Sequence, residues 1–192
     1  MKANHVLKLS FTGLLVAVGI IIPMFSPVKI ILEPASFTLA SHVAIFVAMS
    51  VSPGITIAVV AGTTIGFLFG GFPIVVVIRA ASHLVFSFLG SMYLLKNPAI
   101  THKSTTRRLF SLFIAVVHAI FEILVVSIFY FGGLVSDAYY QSSYFMSVFL
   151  LVGIGTIIHS MVDYEIAYII ILTLGNNKIM KALSAHDKGK LS

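Results

Sequence analysis

The sequence predicts an all-α integral membrane protein, a single domain over residues 1–192 built as six transmembrane helices. Three observations carry that reading. Runs of about 20 apolar residues, the length that crosses a bilayer as a helix, recur along the whole chain. Charged residues make up 9% of the sequence, against roughly a quarter in a soluble domain, and the mean hydropathy is +1.09. Basic residues gather in three separated stretches, as they do in the cytoplasmic parts of membrane proteins.

The first span covers about Leu9–Met24; its apolar run continues without a small-residue cleavage site and reads as a helix that stays. A loop at Ser26–Ser36 carries Lys29, Glu33 and Pro34. The second span is about Phe37–Val51, closed by Ser52-Pro53-Gly54. The third is about Ile55–Phe69, ended by Gly70-Gly71-Phe72-Pro73. Pro73 suits the first turn of the fourth, about Ile74–Leu95. After the polar loop Lys96–Arg108 comes the fifth, about Leu109–Phe131, ended by Gly132-Gly133. The last apolar region, Tyr144–Leu174, would reach roughly 45 Å as one helix against a hydrocarbon core near 30 Å. Gly153 and Gly155 offer a break, giving a short helix or re-entrant piece at Tyr144–Val152 and a sixth span at about Gly155–Leu174; two full spans is the competing reading.

Lys2 and Lys8, then Lys96, Lys103, Arg107 and Arg108, then Lys178, Lys181, Lys188 and Lys190 fall on one side only if an even number of spans separates them. Both termini are therefore expected in the cytoplasm, with tails of about 1–8 and 175–192. The same placement accounts for the net charge of +6 without nucleic acid. The absence of cysteine excludes disulfides, thiolate metal sites and thiol nucleophiles.

Ionisable residues inside spans are costly, about 2.5–3.5 kcal/mol each at mid-bilayer, and so mark function. Here they come as three i,i+4 pairs, Arg79/His83, His118/Glu122 and His159/Asp163, each on one helix face. With the predicted topology all three fall in the outer half of the bundle. They are expected to wall an outward-facing pocket, with Glu33 and His42 placed to cap it. The competing structural reading is a buried bridge in which Arg79 neutralises Asp163 or Glu122 for packing alone. His-xxx-Glu and His-xxx-Asp also suit a divalent ion, but the permanently charged guanidinium repels a cation and favours a carboxylate or other polar organic ligand. Neither metal nor cofactor is expected. No nucleophile elbow, zincin helix or phosphate-binding loop is present, so no catalytic residue is assigned.

Small residues recur at every fourth position in the third span, Ala58, Gly62, Gly66 and Gly70, and in the first at Gly13 and Ala17. Such ladders admit close helix approach. In the third span, packing within the chain is the simpler reading.

The length, the six spans with both ends inside, the Gly13/Ala17 pair, the stretch Glu33-Pro34-Ala35-Ser36-Phe37 through His42, Gly-Gly-Phe-Pro at 70–73 leading to Arg79 and His83, and His159-Ser-Met-Val-Asp163 together resemble the substrate-binding S components of energy-coupling factor vitamin transporters. The resemblance covers essentially the whole chain. It implies a bacterial plasma-membrane S-component bundle whose first span, at Gly13 and Ala17, docks on a shared transmembrane coupling subunit. It further implies two ATPase partners, a vitamin held in the outer half, and gating by the outer loops, here Ser26–Ser36 and Leu134–Val152. An arginine among histidines favours a small pyridine or pyrimidine compound such as niacin, pyridoxine or hydroxymethylpyrimidine, then pantothenate. The alternative classes are a proton-coupled or divalent-metal transporter using the His/Asp/Glu pairs, and a structural subunit with no ligand.

Overall fold

The computed structural model describes residues 2–32 and 35–175; Glu33, Pro34 and the basic tail with Lys178, Lys181, Lys188 and Lys190 lie outside the described residues. The chain is helical almost throughout, with α1 at Lys2–Phe25, α2 at Val43–Val51, α3 at Pro53–Phe69, α4 at Ile74–Lys96, α5 at Ser104–Phe131 and α6 at Gly155–Gly175. Among the described residues, four runs are long and apolar enough to cross a membrane: His5–Phe25, Ile74–Lys96, Ser104–Phe131 and Phe145–Leu174. Their outward side chains are large and apolar, among them Leu9, Phe113, Ile128 and Ile169, as a lipid-facing surface requires.

The second predicted span is corrected. Lys29–Leu32 and Ala35–Thr38 form an antiparallel hairpin, β1 and β2, with Lys29 opposite Thr38 and Leu32 opposite Ala35, where a loop was expected. A turn follows, and α2 starts only at Val43, so its nine residues reach about 14 Å, half a hydrocarbon core. The reason is tertiary. Ala40 sits at φ 67°, in the left-handed region that side chains disfavour. Its N–H and that of His42 are bound by a distant carboxylate, Asp163. The turn is thus held open from outside, and no local pattern announces it. α2 itself is apolar on all sides and buried on all sides except at Ser50, the signature of a central core helix. It packs against α1, α3, α4 and α6.

Ser52 caps α3, its Oγ accepting from the Ile55 N–H at 3.3 Å, with Pro53 in the first turn. The α3 ladder packs inside the chain: a Cβ on Gly62 would lie 2.7 Å from Val16, and one on Gly66 would overlap Ile20, both on α1. Gly13, by contrast, has nothing within 4 Å. That face of α1 is open.

The long final region is neither broken at its glycines nor split in two. Phe145–Ile154 winds as a π-helix and runs directly into α6. At the junction the Phe37 ring of β2 lies where a Cβ on Gly155 would stand. Gly155→Ala is therefore expected to push Phe37 out of its seat. It should lower the detergent thermal midpoint by the equivalent of about 1–3 kcal/mol; an unchanged midpoint would show that the hairpin is not packed there. α5 begins at Ser104, five residues before the expected start, and Arg107 ties its beginning to α6 through Glu165 at 3.2 Å and the Tyr168 ring at 3.9 Å.

Candidate functional site

The three polar pairs converge. α4 brings Arg79 and His83, α5 brings His118 and Glu122, and α6 brings His159 and Asp163, while the turn before α2 adds Ser41 and His42. They enclose a cavity of about 360 Å³, whose wall includes Arg79, His83, His118, Glu122, His159 and His42. Volumes of about 300–1,000 Å³ suit a small-molecule site.

Glu122 is the centre of one network and is 2% exposed. One oxygen accepts from Arg79 Nε; the other accepts from His83 Nε2 at 3.1 Å and lies 3.6 Å from His118 Nε2. Of the two acids expected as a partner for Arg79, the fold selects Glu122. The remaining guanidinium nitrogens have no hydrogen-bond partner among the described residues, yet Arg79 lines the cavity. A pinned guanidinium with its fork unused is a preformed receptor for a planar anion.

Asp163 is the centre of the other network. It is fully buried and is not among the residues that line the cavity. Oδ1 accepts from Ala40 N–H at 2.7 Å. Oδ2 accepts from His42 N–H at 2.9 Å and His42 Nδ1 at 3.1 Å, with His159 Nε2 at 3.3 Å. It ties α6 to the turn before α2. His42 stands at the hub: its ring centroid lies 4.8 Å from His83, 4.9 Å from His118 and 5.0 Å from His159. His118 is stacked on Phe86 at 4.3 Å and approaches Ser160 Oγ at 3.3 Å through Nδ1. One ligand atom from each of His42, His83 and His118 lies within 4.8 Å of the others, and the same holds for His42, His159 and Asp163.

Glu33 lies outside the described residues, so its expected capping role is not placed. Sequence reasoning missed Phe37, Ser41, Thr63 and Thr156 in the wall. Ser41, whose Oγ is 3.0 Å from His159 Nε2, had one signal in its adjacency to His42; the threonines look like ordinary small residues of apolar helices. The short 3-10 turn Asp137–Tyr140 folds Tyr139 inward to 6% exposure. Burial pushes its hydroxyl above the usual tyrosine range, with Arg79 pulling the other way; the group keeps its proton.

No protein-family model matches the chain, and no solved structure does. The chain is similar to the niacin transporter NiaX of Lactococcus lactis subsp. cremoris (strain MG1363), with 38% identity over 176 residues, 91% of this chain and 76% of that protein. A likeness of that extent, on a multi-pass apolar bundle with a walled polar cavity, fixes the family: the chain is a cell-membrane protein and belongs to the substrate-binding S components of energy-coupling factor vitamin transporters.

Proposed function

We propose that this S component captures niacin, as the nicotinate anion, in the Arg79–Glu122 cavity. The observation that carries the reading is the unused guanidinium fork in the cavity wall, pinned by Glu122 through Nε alone. A carboxylate takes two parallel N–H donors from such a fork. The pyridine ring then lies among the imidazoles, with Ser41 and His159 offering polar contacts to its nitrogen. His83 braces Glu122 and, with His118, completes the wall, and Asp163 holds the turn carrying His42. The name of the similar lactococcal transporter supports the choice of vitamin.

In this reading the single domain crosses the membrane six times. The turn at residues 39–42 and α2 together make the second crossing, both termini are cytoplasmic, and the hairpin and the segment 134–152 cover the cavity from outside. Transport requires a transmembrane coupling subunit, docked on the open α1 face at Gly13 and Ala17, and two ATPase subunits that hydrolyse ATP. The open space over Gly13 supports that docking face. Gly13→Leu is expected to leave niacin binding unchanged and to remove co-purification with the coupling module; retained co-purification would move the docking site elsewhere.

The function is tested on detergent-purified protein by calorimetric titration with nicotinate, and then in liposomes. One nicotinate per chain is expected, with no accumulation until coupling subunit, ATPases and ATP are supplied. Binding of pyridoxine or pantothenate in place of nicotinate would overturn the choice of vitamin. Uptake by the chain alone under a proton gradient would overturn the mechanism.

A further inference from the structure

Three histidines of the wall share a feature that an organic ligand leaves unused. Each is held by one ring nitrogen: His42 Nδ1 by Asp163 at 3.1 Å, His83 Nε2 by Glu122 at 3.1 Å, His118 Nδ1 by Ser160 at 3.3 Å. A carboxylate only accepts, so His42 and His83 place their protons on the held nitrogens, and the far nitrogens are bare lone pairs. His118 Nε2, on a side chain 1% exposed, has no hydrogen-bond partner among the described residues, with Glu122 Oε1 beyond bonding distance at 3.6 Å. Buried polar atoms left unpaired are rare in folded proteins and call for an explanation. Imidazoles fixed from behind by carboxylate or hydroxyl, with the other nitrogen free, are how proteins orient histidine toward a metal.

Charge points the same way. The guanidinium that argued against a cation in the sequence is already cancelled by Glu122 in direct contact. Asp163 then remains, so among the described residues the site holds two carboxylates against one permanent cation. A nicotinate anion would add a second uncompensated negative charge to a buried space. A dication brings the sum to zero.

We infer that His42, His83 and His118 form a site for one divalent transition-metal ion of the zinc, cobalt or nickel kind, with its fourth position open to the cavity. One ring nitrogen from each of the three already stands within 4.8 Å of the others; bonds of about 2.0–2.1 Å to a tetrahedral ion draw the donors to about 3.3 Å. Only the open fourth position rests on the niacin reading: it would face the vitamin's ring nitrogen or carboxylate.

The test uses the full chain in detergent, stripped with EDTA and then titrated with Zn²⁺ and Co²⁺, with nicotinate titrated before and after reloading. One ion per chain at micromolar affinity or better is expected, with the visible absorption of four-coordinate Co²⁺. His118→Gln and His42→Gln are each expected to weaken Zn²⁺ at least 100-fold, and Asp163→Asn, behind His42, about 10- to 100-fold. Nicotinate affinity should rise at least tenfold on reloading. No stoichiometric ion, or Zn²⁺ affinity unchanged in His118→Gln, overturns the site. Nicotinate affinity unaffected by stripping overturns the open fourth position and leaves the niacin function standing. Metal binding as expected with no nicotinate bound in either state overturns the niacin reading and leaves the metal site.

Discussion

Arg79→Ala is expected to abolish nicotinate binding and to destabilise the fold in the same step. Two charge-assisted hydrogen bonds from the guanidinium fork are worth about 1.5–3 kcal/mol each. Their loss weakens binding by at least roughly 100-fold. The same substitution strips Glu122, 2% exposed, of its cation, and breaking a buried pair from one side costs about 3–5 kcal/mol. The two effects separate in a double variant. Arg79→Met with Glu122→Gln removes both charges, so its detergent thermal midpoint should return most of the way to wild type while nicotinate binding stays lost. If the double variant binds nicotinate, the guanidinium is a packing residue and the cavity belongs to another ligand. If the single variant keeps full stability, the Arg79–Glu122 contact is not the buried pair described here.

Asp163→Ala has the second largest expected effect, and a different signature. Its carboxylate holds the N–H groups of Ala40 and His42 and the ring of His42. Leaving two part-buried backbone donors unpaired costs about 1–3 kcal/mol each. The strain of Ala40 at φ 67° is then no longer opposed, and the turn at residues 39–42 relaxes. Amide exchange at Ala40 and His42 should rise by at least tenfold while exchange in α4 and α5 stays at its wild-type rate. Nicotinate should leave faster, because His42 and the hairpin lose their anchor to α6. Asp163→Asn, which keeps one accepting oxygen, should fall between. Unchanged exchange in the turn would show that the anchor lies elsewhere.

Much of this was legible in the residues, for identifiable reasons. Helices in a bilayer satisfy every backbone group internally, so apolar length alone announces them; α4 was placed to within a residue at each end, and Pro73 marked a true helix start. The i,i+4 spacing of the polar pairs fixed which side chains share a face. The high cost of burying them fixed that they must meet. The hairpin and the short α2 were not legible. Their cause, the Asp163 carboxylate, lies 121 residues from His42 in the chain, and four-residue strands carry too little pattern to read. The π winding of Phe145–Ile154 was equally hidden, because its composition is that of any apolar helix.

The division between the two sources of knowledge follows from range. By itself the sequence determined the membrane class, the helical faces and the polar residues that could not be left in lipid, because each depends on spacing within one helix or on transfer cost alone. Only the tertiary structure decided that Arg79 pairs with Glu122 rather than Asp163. It alone drew Asp163 back from the cavity wall into the anchor of a strained turn. It alone gathered three imidazoles around that of His42. Those outcomes depend on distances of 3–5 Å between residues on different helices, and partner choice at that range is set by packing.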